Sequence, residues 1–140
     1  MGNTHIIKHI NFEDMQTAIK NTELYLIVNT LPYDKQNCLI LNTISVIQEE
    51  NIINKHITQH NMDIRIIIYG ENCNDKLVNK KYKQLISLGF YNVYIFSGGL
   101  FEWLMLQDIY GNDFFLTTQK EHDILKFKPQ SMLNIALIEN

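Results

Sequence analysis

Three runs in this chain are too continuously apolar to be strands with one wet face. They are "ELYLIVNT" (Glu23–Thr30), "DIRIIIYG" (Asp63–Gly70) and "NVYIF" (Asn92–Phe96). A strand on a half-exposed sheet alternates apolar and polar residues, whereas one covered on both faces does not. Between the runs the period changes. Val46, Ile52, Ile53, His56 and Ile57 form one stripe at helical spacing, and Leu77, Val78, Tyr82, Leu85 and Ile86 form another. Buried strands alternating with amphipathic helices specify a parallel α/β sheet.

Shorter segments complete the pattern. "HIIKHI" (His5–Ile10) and "CLILNT" (Cys38–Thr43) read as two further strands, giving an expected central, mainly parallel five-stranded sheet with helices on both faces. Asn11 with Asp14, and Ser45 with Gln48, look like helix starts. Gly89 and Gly111 look like helix ends. "LFEWLMLQDIY" (Leu100–Tyr110) is a helix apolar almost all round. A C-terminal extension, 112–140, follows the domain at 1–111. It carries Phe114, Phe115, Leu125, Phe127, Leu133, Ile135 and Leu137, too many apolar side chains to leave in water, so it is expected to pack on the domain or on a second copy. Its "LNIALI" is a candidate terminal strand.

With 140 residues, 46% of them hydrophobic, the chain suits one domain with one core. A net charge of −3 and a single arginine, Arg65, argue against nucleic acid, which demands clustered cations. No segment approaches the roughly 20 apolar residues of a membrane span. The start "MGNTHIIKHI" has no long apolar stretch of the kind a secretory leader needs. Two cysteines, Cys38 and Cys73, make neither a disulfide scaffold nor a metal spacing, and a reducing, cytoplasmic setting is expected. His56 and His60 are spaced i, i+4, but no third ligand follows them, so neither a metal nor a cofactor is expected.

The sharpest functional signal is the loop after "RIIIY". In open α/β sheets the working crevice lies beyond the carboxyl ends of the strands. Gly70, Glu71, Asn72, Cys73, Asn74 and Asp75 stand there, ahead of a helix. Loop amides and a helix N-terminus favour an anion and would stabilise a thiolate on Cys73, while Glu71 and Asp75 oppose it. The plainer reading makes Cys73 a small inert residue and Asp75 an N-cap. Cys38 reads as a packing residue, expected at the opposite end of the sheet from Cys73 and unbonded to it.

The stretch "LISLGFYNVYIFSGGLFEWL" (Leu85–Leu104) resembles the rhodanese-like family, in which Leu-x-x-x-Gly-Phe ends a helix and Gly-Gly-x-x-x-Trp opens the next. The matching residues are Gly89, Phe90, Asn92–Tyr94, Gly98, Gly99 and Trp103. "YLIVNT" is similar to the family's Leu-Ile-Asp-Val-Arg strand, with Asn29 for Asp and Leu31 for Arg. The resemblance spans Ile6 to Tyr110 and implies a single rhodanese-like domain.

Active members carry a persulfide on a cysteine in a Cys-x-x-x-x-Arg loop directly after the central strand. Here the cysteine position is Gly70 and the arginine position is Asp75. Two functions follow. One is an atypical sulfurtransferase or thiol-redox protein carrying sulfur on Cys73, acting on a small sulfur-containing or anionic substrate. The other is a catalytically silent module that binds a protein partner, with a homodimer through the extension as one form. The family's phosphatase relatives clamp phosphate with a loop arginine, which this loop lacks.

Overall fold

The computed structural model describes residues 6–133 of the chain. Four strands, β1 (Lys8–Ile10), β2 (Tyr25–Asn29), β3 (Arg65–Tyr69) and β4 (Val93–Phe96), pair in the order β1-β4-β3-β2, and every pairing is parallel. Four helices connect and follow them: α1 (Phe12–Ile19), α2 (Val46–Thr58), α3 (Lys76–Ser87) and α4 (Gly99–Tyr110). Single helical turns occur at Tyr33–Lys35 and Ile124–Phe127.

Successive side chains of a strand leave the sheet on opposite faces, so β3 feeds two cores. Ile67 and Tyr69 join Met15 and Ala18 of α1 and Leu100 and Trp103 of α4. Ile66 and Ile68 join Ile53 of α2 and Val78, Tyr82 and Leu85 of α3. Covering on both faces is what the unbroken apolar runs require. The capping box expected at α1 is complete. The Asp14 N–H donates to Asn11 Oδ1 at 3.0 Å, and the Asn11 N–H donates to Asp14 Oδ2 at 3.2 Å.

The expected fifth strand does not form among the described residues. The segment Cys38–Thr43 makes only two isolated bridges, Ile27 with Thr43 and Ile40 with Thr117. Its amides go elsewhere: Leu39 to Thr118 Oγ1, Ile40 to the Tyr69 hydroxyl, and Leu41 to the Leu116 carbonyl. Asn42, at φ 68°, then turns the chain through the left-handed region, which ends any extended run. The strand suggested by "LNIALI" lies, from residue 134 on, outside the described residues.

The segment after α4 divides by face. Phe115 and Phe127 are buried in the same core as Trp103, while Phe114, Leu125 and Leu133 stay exposed. The Trp103 ring meets Phe96 and Phe115 edge-on, at 6.0 and 5.1 Å, and its Nε1 donates to the Leu116 carbonyl. Among the described residues no helix is long and apolar enough to cross a membrane.

Candidate functional site

The loop from Gly70 to Asp75 leaves β3 at the carboxyl edge of the sheet and is bracketed by α3 and α4. The first amides of α4 hold it, with Leu100 N–H donating to the Gly70 carbonyl at 2.9 Å and Phe101 N–H to the Glu71 carbonyl at 2.8 Å. This approach requires Gly99. Its φ is +67°, and a Cβ there would stand 2.6 Å from the Gly70 oxygen and 2.9 Å from the Asn72 nitrogen.

Asp75 organises the interior of the loop. Its Oδ1 accepts from Leu77 N–H at 2.9 Å, the N-cap bond of α3. Its Oδ2 turns back into the loop, accepting from Glu71 N–H at 3.1 Å and from Thr30 Oγ1 at 2.8 Å. The same oxygen lies 2.1 Å from where a Cβ on residue 70 would be. The carboxylate therefore occupies the space of any side chain at position 70. The Asn74 N–H donates to Asn72 Oδ1 at 2.9 Å, and the Asp75 N–H to the Asn72 carbonyl at 3.3 Å. Three of the loop's amides, those of Glu71, Asn74 and Asp75, thus close on the loop itself.

Cys73 is exposed at the tip, and its thiol meets Asn74 Oδ1 at 3.8 Å. Cys38 is buried, with its Sγ donating to the Gln119 carbonyl at 3.2 Å. Burial, reinforced by the charge of Glu121, pushes the Cys38 thiol pKa up. Both cysteines are free. Cys38 was expected at the far end of the sheet from Cys73, in a strand that does not form among the described residues; one thiol is buried and the other exposed.

Beside the loop lies a cleft of about 850 Å³, walled by Lys35, Glu71, Asn74, Lys76, Lys126 and Lys128 among others. Lys35 pairs with Glu71 at 2.5 Å. Asn72 Nδ2 donates to the Phe127 carbonyl at 2.9 Å, which pins the Ile124–Phe127 turn across the loop. Lys35 and Lys126 both stand within 6 Å of the Phe127 ring, at 5.8 and 5.6 Å from its centroid. Thr30, Lys35 and Phe127 were not singled out from sequence as parts of a site. Thr30 had a signal, since it ends a buried strand at the carboxyl edge of the sheet; Phe127 was expected only to pack, and Lys35 had no signal. Asn29, in the family's aspartate position, is buried and accepts from Leu31 N–H and Gln36 Nε2.

Arg65 opens β3, the end of the strand remote from the loop, and stacks its guanidinium over Tyr25. His56 bonds Asn61 rather than His60, and burial lowers its pKa. Among the described residues no group of three potential ligands gathers for a metal.

No family model matches the chain, and no curated protein matches it. Solved structures do. The yeast protein tyrosine phosphatase of the rhodanese family, Ygr203w, aligns with a TM-score of 0.61 at 12% identity, over 87% of this chain and 99% of its own. The As-Sb reductase from Leishmania major gives 0.60 at 14% identity, covering 96% and 100%. The rhodanese-like domain of the Alr3790 protein from Anabaena sp. gives 0.56 at 18% identity, covering 91% and 88%. The fold is rhodanese-like.

Proposed function

We propose that this chain is a silent rhodanese-fold module that acts by binding, its sulfur-transfer loop closed by its own carboxylate. The observation that carries the reading is the Asp75 Oδ2, 2.1 Å from the Cβ site of residue 70 and bonded to the Glu71 N–H. In a persulfide loop that space holds the sulfur and that amide faces an anion. Here a fixed negative charge fills the one and engages the other. A small anionic donor at the Gly70 position then meets the Asp75 carboxylate, with no arginine in the loop to offset it. The test is thiosulfate:cyanide sulfur transfer by the purified chain. The reading expects no thiocyanate above the rate without protein, and turnover comparable to an active rhodanese overturns it.

A second reading rests on the exposure of Cys73. Its thiolate would attack the outer sulfur of thiosulfate, forming a Cys–S–S⁻ persulfide and releasing sulfite. The Glu71, Asn74 and Asp75 amides are already bonded within the loop, so an anion on Cys73 gains little from those three. This is why the binding reading is preferred. In either case residues 112–140 act as an extension of the domain at 1–111.

A further inference from the structure

The outer side of α4 has no counterpart in the packing of the domain. Leu100, Trp103, Leu104 and Gln107 face the core, as a surface helix requires. The opposite side should then be polar, yet Met105 is 42% exposed and Ile109 66%; at the helix end Tyr110, on the Trp103 stripe, is 63% exposed, and Phe114 just beyond is 65% exposed. Summed over the four residues, roughly 500 Å² of mostly apolar surface is left in water.

The charges along this segment of the chain have one sign. From Gly99 to Gln119 there is no lysine or arginine, while Glu102, Asp108 and Asp113 are all exposed. Among the described residues none of the three belongs to an ion pair. Asp108 sits in the last turn of α4 and Asp113 beyond it, where the helix dipole disfavours negative charge, and that turn holds no basic residue. Their placement does not serve the stability of the helix. An isologous dimer through this face would set acid against acid, which disfavours a second copy as its occupant.

We infer that the exposed face of α4 is a docking surface for a basic amphipathic segment of a partner protein. Its apolar side seats on Met105, Ile109, Tyr110 and Phe114, and its flanking cations meet Glu102, Asp108 and Asp113. This rests on the reading that the chain acts by binding, but it uses a surface separate from the loop at Gly70–Asp75.

The probe is a synthetic helical peptide of about 18 residues, with leucines at i, i+3, i+4 and i+7 and lysines on their flanks. The expected result is saturable binding that weakens with salt, with amide signals of Met105–Asn112 shifting on titration. The Glu102→Gln, Asp108→Asn, Asp113→Asn triple variant and the Ile109→Ser variant should each bind at least tenfold more weakly with unchanged circular dichroism. A matched peptide with glutamates for lysines should not bind. Equal binding of both peptides, indifference to the variants, or shifts confined to the loop would overturn the inference. So would a dimer of the free chain that Ile109→Ser dissociates, since that assigns the face to a second copy. A persulfide found on Cys73 would contradict the silent reading and leave these binding outcomes unmoved.

Discussion

At Gly70 the missing side chain and the neighbouring carboxylate are one device. A methyl at position 70 must displace Asp75 Oδ2, breaking its bonds from the Glu71 N–H and Thr30. Gly70→Ala is therefore expected to cost about 2 kcal/mol, the scale of a buried charged hydrogen bond. In an Asp75→Ser background, which keeps a capping oxygen but shortens the side chain, the same change should cost at least about 1 kcal/mol less. Urea unfolding of the four proteins checks this, and additive effects would break the link between the two positions. Tyr69, directly before the glycine, is wholly buried, and its hydroxyl takes the Ile40 N–H at 3.1 Å and contacts Thr43 Oγ1 at 2.7 Å. Burial raises its pKa from an ordinary value near 10. The folded chain thus keeps a proton that the unfolded chain releases. The stabilisation is full below the ordinary value and falls as pH rises above it. Tyr69→Phe should lose about 1–3 kcal/mol at pH 8, by leaving the Ile40 amide unpaired, yet show a flatter decline at alkaline pH in the same unfolding measurement.

The elements differ in how much of them the sequence announced. β3, α3 and β4 were legible because period and bounding residues agree, whereas α4, apolar almost all round, was legible from the glycines that bound it; Gly89 and Gly111 adopt the positive φ that a helix end favours. Cys38–Thr43 was not legible as a loop, because its apolar residues are buried by packing under Thr117 and Thr118 rather than by sheet pairing. Burial and strand formation look alike in a short apolar run. The extension shows the same limit, since nothing in "DILKF" distinguishes the buried Phe127 from the exposed Leu125. Phe127→Ala is expected to destabilise by about 3–5 kcal/mol and to loosen the turn over the loop, whereas Leu125→Ala should stay within about 0.5 kcal/mol. Thermal unfolding of the pair tests this, and equal losses would mean that the turn does not plug the core through Phe127.

For the whole molecule, the fold supplies a loop where chemistry could sit, and the proposed silence rests on the residues that fill it. The parallel sheet sets a loop at its carboxyl edge, and the site was legible to that extent: the position, the absent arginine and the displaced thiol are all in the sequence. What could not be read was the direction of the Asp75 carboxylate, which depends on Thr30 and the Glu71 amide meeting across separate elements. The most direct measurement is the intact mass of the chain after incubation with excess thiosulfate, with Cys38, buried and raised in pKa, as an internal unreactive thiol. A mass unchanged in both the parent chain and Cys73→Ser is the predicted result. One added sulfur on the parent chain, removed by cyanide and absent in Cys73→Ser, would contradict the closed loop.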